Sequence, residues 1–424
     1  MRIAKLGCGV LAGLMALSIA ILLLWTLMPP KLTVPPRRYP PDNAYPYITA
    51  IALQLSQLEA SNPRIKELSR RASTPGGALT PSEHQEYAHY VQPFLRTYRK
   101  YLFQPSKVVL DYNPAKDPTF HTNTALRELA RAEGYFIRWA LANNRQAEAI
   151  ERATALAQLS NQISQDGALI HYLVGRAIRM IALEPVRREL PHLHQRAALE
   201  QLLRWAKQEE QNRPKLTAIL QTEHYIGRTM LMEAYRNPEP VDPAQAPWWA
   251  RYTLPARFMV KTAVSEYERA MAQIKAYAAK PAWQRQPSDY PRVSHPLNED
   301  VISIFEETIQ RYEASVALTR LLGCVAAVRL HKIRTGHYPA SLEQLNLGEL
   351  AIDPFTGKPF VYRVDRRQGF LIYSVGANRI DEGGRFHYHL WDSTGDIVPV
   401  SVPRPTYLRG EPALWPLADP VWLR

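Results

Sequence analysis

The chain has 424 residues, of which 46% are apolar and 21% are charged, and its formal net charge is +13. This composition excludes an intrinsically disordered protein, and the length predicts a folded chain of about two or three domains. The positive charge does not indicate a nucleic-acid partner, because basic residues alternate with acidic ones on helical segments and form no long basic block. The two cysteines, Cys8 and Cys324, lack the spacing of a zinc site.

The chain begins with a predicted membrane anchor. Residues 6–28 form an uncharged apolar run of 23 residues that follows two basic residues. At about 1.5 Å per residue, a helix of this length spans the hydrocarbon core of a bilayer. No small-residue cleavage site follows the run, so residues 1–28 are expected to stay as a single-pass anchor. The basic N-terminus favours an extracytoplasmic position for the bulk of the chain, although Lys31, Arg37 and Arg38 reduce the charge contrast.

A proline-rich segment and a helical region follow the anchor. Residues 29–46 contain seven prolines and are predicted to form a semi-rigid polyproline stalk. Residues 47–298 place apolar side chains at helical spacing and are predicted to form a helical domain. Thr80 and Glu83 form a capping box that predicts a helix start, and Asn143-Asn144 predicts a tight turn.

One interruption of the helical pattern contains the pair Trp248-Trp249. Two interpretations stay open for it. The pair can form a patch that binds a partner or the membrane interface, or it can pack its loop onto its own domain.

The last part of the chain, residues 299–424, predicts a long helix followed by a small α+β head, which we define as residues 337–424. The helix is expected from Glu299 to Thr335, with an apolar and therefore buried second half. Gly336 is placed to end it. The further predicted elements are a short helix capped by Ser341 and Gln344, an antiparallel hairpin of 360–364 with 369–375, and a second pair of 386–391 with 395–402. The whole chain is thus predicted to be mainly α with a C-terminal α+β head.

Several motifs occur in order in this part of the chain. G-x-Y-P-x-S-L begins at Gly336, D-P-x-x-G-x-P-x-x-Y begins at Asp353, Y-S-x-G begins at Tyr373, and an acidic glycine turn follows. This order, after a long helix, resembles the globular head of the type II secretion major pseudopilins, over about the last quarter of the chain. The resemblance implies the head fold. It does not imply pilin-type assembly, because residues 6–28 lack the pilin processing site and lie far from the long helix.

The resemblance also implies a calcium loop after the Y-S-x-G strand. The candidate carboxylates are Asp381, Glu382, Asp392 and Asp396. Calcium takes about six to eight oxygen ligands, which two turns rich in Asp and Gly can supply, but the same sequences are also ordinary turns. His387 and His389 alternate on one predicted strand face, an arrangement that needs a further ligand to hold a transition metal.

The sequence contains none of the common catalytic motifs, such as G-x-S-x-G, H-E-x-x-H or C-x-x-C. We therefore expect a membrane-anchored cell-envelope protein that acts in interaction or assembly, without a reaction of its own. Its expected partners are the membrane, through residues 6–28, and an envelope protein, and calcium is the one cofactor that the resemblance implies.

Two alternatives remain at this stage. An extracytoplasmic hydrolase would have a cleft between helical domain and head with converging titratable groups. A basic surface that binds anionic lipid or polysaccharide would lose its ligand as salt rises.

Overall fold

The computed structural model describes residues 2–74, 77–117, 119–237, 253–387, 395–403 and 416–424. Helices dominate this part of the chain, and a two-stranded antiparallel sheet lies near the C-terminus, which confirms the prediction of a mainly α chain with a small C-terminal sheet. The helices are α1 (Arg2–Leu27), α2 (Ala44–Ser61), α3 (Pro63–Ser73), α4 (Pro81–Arg99), α5 (Thr119–Ala142), α6 (Gln146–Gln162), α7 (Leu169–Glu189), α8 (Arg196–Asn212), α9 (Leu216–Arg236), α10 (Thr253–Ala279) and α11 (Pro296–Thr335). The strands are β1 (Val361–Asp365) and β2 (Gly369–Tyr373).

Local sequence signals set several boundaries as predicted. α4 begins at Pro81, where the Thr80 hydroxyl accepts the Glu83 N–H and the Glu83 carboxylate accepts the Thr80 N–H. Asn144 has a φ of +55° in the turn between α5 and α6. Gly336 ends α11 with a φ of +84°, a left-handed conformation that glycine adopts without a steric penalty from a Cβ atom.

Two hydrophobic cores divide the described residues. The main core contains side chains from α2 to α8, from the second half of α11 and from the head. The small core contains side chains from α9, α10 and the first half of α11. The predicted helical domain and the head therefore share one core, and α11 passes through both.

α11 is the helix among the described residues whose length and composition would allow it to cross a membrane, but 83% of its apolar window is buried in the protein. This burial fits a core helix, as the sequence predicted. In α1 the side chains are described from residue 14 onward, and Leu14–Leu27 is an apolar helix shorter than a membrane span. Most of its apolar side chains are exposed.

The proline-rich segment lies along the helical body, so its contacts do not match the predicted role of a spacer. The Arg228 guanidinium donates to the Thr33 carbonyl at 2.9 Å. The Arg37 guanidinium donates to the carbonyls of Val108, at 2.9 Å, and of Asp166. α2 begins at Ala44, inside the range predicted for the stalk.

The first predicted hairpin of the head is confirmed, with Val361 opposite Tyr373 and Asp365 opposite Gly369. One other prediction for the head, the capped short helix, is wrong. Residues 342–345 form a 3₁₀ turn without a Ser341 side-chain cap, because Gln344 instead accepts the Ala340 N–H.

The second predicted hairpin falls partly outside the described residues. Where it is described, Ile397 pairs with Ser374, Phe386 pairs with Ala418, and the Asp396 N–H donates to the Arg385 carbonyl at 2.8 Å. The hairpin itself stays a prediction.

Candidate functional site

The predicted acidic site forms where the chain leaves β2. Ser374 and Ile397 exchange two backbone hydrogen bonds of 3.0 and 2.8 Å. This bridge places Asp396 beside the turn at residues 378–384, which we call the acidic turn. Gly383 and Gly384 have φ values of +76° and +89° there, so the turn requires the left-handed conformation that favours glycine.

Asp396 is buried and is bound by the turn's own backbone. Its Oδ2 accepts the Gly384 N–H at 2.6 Å, and its Oδ1 accepts the Glu382 N–H at 3.4 Å. Burial raises the pKa of Asp396 to about 7, and the nearby Glu382 carboxylate raises it as well, against the opposite effect of the Gly384 N–H. Two carboxylates that approach each other in this way favour sharing a proton or binding a cation.

Asp381 and Glu382, two further predicted ligands, contact different groups. The Tyr373 hydroxyl and the Gly383 N–H both donate to Asp381 Oδ1 at 2.8 Å, so this carboxylate supports the hairpin. Glu382 Oε1 accepts the Asn378 amide at 2.7 Å. Asp392 and His389 lie outside the described residues. Within the described ranges no three Asp, Glu, His or Cys side chains form a group able to hold a metal, so calcium stays a prediction.

Buried arginines join the head to the helical body, and the sequence interpretation missed them. Arg329 on α11 donates to the carbonyls of Leu190, of Leu193 at 2.6 Å, of Pro191 at 2.9 Å and of Arg424 at 2.8 Å.

A second buried arginine, Arg187 on α7, donates to the carbonyls of Pro399 at 3.2 Å and Val400 at 2.7 Å. The sequence feature that could have identified Arg329 is the presence of a charged residue inside the apolar run of α11. Such a residue must be solvated by protein acceptors when it is buried.

Asp353 also has a larger role than the turn signal that its sequence indicated. It is buried, with Oδ1 accepting the Phe355 N–H at 2.9 Å and Oδ2 accepting the Val375 N–H at 3.1 Å. Burial raises its pKa. This side chain therefore ties the start of the head to the end of β2, directly before the acidic turn.

A groove of about 710 Å³ lies where the helical body meets the end of α11 and Arg424. His192 and His194 line it, and His194 Nδ1 lies 2.7 Å from the His192 carbonyl and 3.3 Å from the Gln146 amide nitrogen. Its described lining includes no Ser, Thr or Cys that could act as a nucleophile. The groove thus offers imidazole bases and cations, and no assembled nucleophile–base pair.

Comparisons of this chain with protein-family models, with curated proteins and with solved structures each found no match. Its function has to be argued from its own geometry.

Proposed function

We propose that this chain is a membrane-anchored cell-envelope protein that acts in interaction or assembly, with an α+β pseudopilin-like head and no reaction of its own. The observation that supports it most is α1. From residue 14 onward this helix leaves most of its apolar side chains exposed, while its C-terminal turn is bound by side chains of the folded body. A continuous apolar surface of this kind is unfavourable in water, whereas the acyl chains of a bilayer would cover it.

We also propose that the helical body holds the head at a set distance from the membrane. α10 supports this part of the proposal. Its N-terminal part contacts α1 through Phe258 and Lys261. Its C-terminal turn contacts Arg285, which donates to the Ala278 carbonyl at 2.9 Å. Arg379 of the head in turn donates to the Arg285 carbonyl at 3.0 Å. At about 1.5 Å per residue, the part of α10 from Phe258 to Ala278 covers about 30 Å, so α10 links the anchor to the head across that distance.

The head is the proposed contact for a protein partner. Two of its apolar side chains are exposed, Val364 on β1 by 44% and Ile380 in the acidic turn by 60%. Deleting the whole head is a poor test, because residues 337–424 share the main core and their loss would uncover the apolar half of α11. Substitution at single exposed positions leaves that core intact.

The test is site-specific photo-cross-linking in intact cells with the full-length protein. A photoreactive phenylalanine analogue at Val364 or Ile380 is expected to give one discrete adduct, the same from both positions. The matched control is Phe103, which is 83% exposed on the helical body and should not give that adduct. Adducts absent from both head positions, or identical at Phe103, would remove the head as the partner surface.

The membrane side is tested separately. Protease added outside spheroplasts should digest the body if it is extracytoplasmic, and should reach it only after lysis if it is cytoplasmic. Resistance of the protein to extraction at alkaline pH tests the anchor itself.

A hydrolase remains the alternative, and the groove at His192 and His194 is the one observation in its favour. Hydrolysis of a small activated ester by the purified protein, lost in His192→Ala and His194→Ala, would support it. Equal rates in the wild type and both variants would exclude this groove as the site.

A further inference from the structure

The C-terminal turn of α1 is bound to the helices of the small core. The Tyr235 hydroxyl donates to the Thr26 carbonyl at 2.9 Å, and the Lys261 ammonium donates to the carbonyls of Trp25, at 2.5 Å, and Met28. The Trp25 and Thr26 carbonyls are among the last of the helix, which have no partners within it, and Met28 directly follows the helix. The protein body therefore begins at the level where α1 ends, without an intervening spacer.

The proline-rich segment does not add distance after this point. Thr33, five residues beyond Met28, already accepts a hydrogen bond from Arg228 of α9. α9 and α10 are thus held next to the end of α1 from two sides. If α1 spans the bilayer, as we propose above, the near ends of α9 and α10 must lie at its surface.

The side chains at this point suit a membrane interface. Trp25 and Phe258 pack edge to face with ring centroids 6.0 Å apart. Leu254, one turn before Phe258 on the same side of α10, is exposed to the same extent as Phe258, by 38%. Tryptophan is typical of the boundary between acyl chains and headgroups, and exposed apolar side chains next to it are stabilised there.

The charges in the same segments are mostly positive. Residues 25–33, 230–237 and 253–261 contain four cations and one carboxylate, which are Lys31, Arg236, Arg257, Lys261 and Glu233. Lysine and arginine side chains near a bilayer interact with lipid phosphates, while their aliphatic parts remain on the apolar side. Apolar side chains and cations thus occur together beside the end of the anchor.

We propose that the near ends of α9 and α10 form a second membrane contact, in which Leu254 and Phe258 enter the headgroup region and the surrounding cations bind lipid phosphates. The proposal rests on the membrane anchoring proposed above. Its occupant is a phospholipid surface. Continuity with α1 favours this over a second copy of the chain, because the bilayer already meets α1 at this level. The contact fixes the orientation of the body, which a single anchoring helix would leave free to tilt.

The experiment measures the depth of single positions in the full-length protein. Cysteine replaces Leu254 or, as the control, Ile380 of the head, in a Cys8→Ser background where the remaining Cys324 is buried. An environment-sensitive fluorophore on that cysteine is observed in vesicles of phosphatidylcholine and phosphatidylglycerol that contain nitroxide-labelled lipid. Quenching at position 254 is expected to be several-fold stronger than at position 380.

The outcomes separate the two proposals. Protein that floats with the vesicles but shows equal, weak quenching at both positions overturns the membrane contact and leaves the anchor standing. Protein that does not float with vesicles overturns both. Weak quenching at position 254 together with a doubled mass of the protein particle would show that a second copy of the chain covers this surface. That result also overturns the membrane contact.

A variant with its own control sharpens the result. With the fluorophore at position 254, Phe258→Asp is expected to reduce the quenching several-fold, because a carboxylate opposes entry into an anionic interface. Ile380→Asp makes the same change on the head and should leave quenching unaltered. Both sites are exposed, so a thermal melt should show both variants folded. Equal quenching in the two variants contradicts the proposal.

Discussion

The two cores differ in how they hold the parts of the molecule at their ends. The main core extends into the head, where buried arginines bind backbone carbonyls of the head and of the helical body. Beside the small core, the end of α1 accepts one buried hydrogen bond from Tyr235 and two exposed ones from Lys261, and most apolar side chains of α1 from residue 14 onward are uncovered. Buried charge bound by several backbone carbonyls fixes geometry, whereas an uncovered apolar surface is unfavourable in water. The head is thus held firmly by the main core, and attachment through α1 is the part of the molecule that we propose.

The largest effect is expected from Arg329→Ala. Its removal leaves the carbonyls of Leu193, Pro191 and Arg424 without their donor inside the protein. A buried carbonyl that loses its donor costs about 1–3 kcal/mol, so the loss of several should lower the free energy of unfolding by roughly 3–5 kcal/mol. Denaturant unfolding in detergent measures this loss in the free energy of unfolding. Lys332→Ala, an exposed change one turn away on α11, should cost less than about 0.5 kcal/mol. Similar losses in both variants would show that Arg329 does not hold the head.

A pH dependence of the main core is expected from His171. Burial, assisted by Arg37, lowers the pKa of this histidine to about 4 from 6.5. The unfolded state therefore binds a proton between pH 6.5 and pH 4 that the folded state excludes. The stability from this group is complete above pH 6.5 and falls as the pH drops towards 4, by about 2–3 kcal/mol.

The difference in unfolding free energy between the wild type and His171→Gln should follow this trend across the same pH range. The exposed His89→Gln should not alter the wild-type profile. A constant difference between wild type and His171→Gln from pH 7 to pH 4 would contradict the assignment.

The contribution of Asp396 to the stability of the head depends on pH with the opposite sign. Because the pKa of Asp396 is raised from 3.8 to about 7, the folded state holds a proton that the unfolded state has already released. Its contribution is complete below pH 3.8 and is lost as the pH rises through 7. Since the acidic turn keeps some contact with solvent, Asp396→Asn should raise stability at pH 8 by on the order of 1 kcal/mol.

The same variant tests calcium. If Glu382 and Asp396 bind it, calcium at pH 8 should raise the melting temperature of the wild type and not of Asp396→Asn. Magnesium serves as the control cation, because it binds poorly to flexible oxygen sites of this kind. An equal shift in both proteins would leave the acidic turn as an ordinary turn.

The smallest effect on stability is expected from Lys261→Ala, at less than about 1 kcal/mol, because this ammonium is partly exposed where it makes its two hydrogen bonds and its contact with the Trp25 ring. The same substitution should change the mobility of the chain at the end of α1 more clearly than it changes stability. A spin label at position 28 should become more mobile in Lys261→Ala and remain unchanged in Arg269→Ala, an exposed change two turns further along α10. Unchanged mobility in both would mean that Lys261 does not fix the end of α1.

The sequence was most informative where a boundary depends on neighbouring residues. The Thr80–Glu83 capping box, the turn at Asn144 and the end of α11 at Gly336 each depend on one side chain or on one backbone conformation. The first hairpin of the head was likewise predictable, because its alternation and its loop are local.

Contacts between distant residues could not be predicted. The proline-rich segment reads locally as a free polyproline stalk, but its Arg37 binds the Val108 carbonyl, 71 residues away, and Arg228 binds its Thr33 carbonyl from 195 residues away. Ile397 pairs with Ser374 and Phe386 with Ala418, and no local pattern specifies such bridges. Within the acidic site, Asp396 and Glu382 meet because Ile397 pairs with Ser374, which spacing alone does not predict.

The proposed function requires a head that is held at a fixed distance from the proposed membrane anchor. A pulsed electron-spin distance measurement between labels at Met28→Cys and Ile380→Cys, in the Cys8→Ser protein reconstituted in nanodiscs, tests this directly. From Lys261, which binds the end of α1, to Ala278, which binds Arg285 beneath the head, α10 covers on the order of 30 Å. We expect one narrow distance distribution of that order. A broad distribution, as from a head on a flexible stalk, would contradict the account.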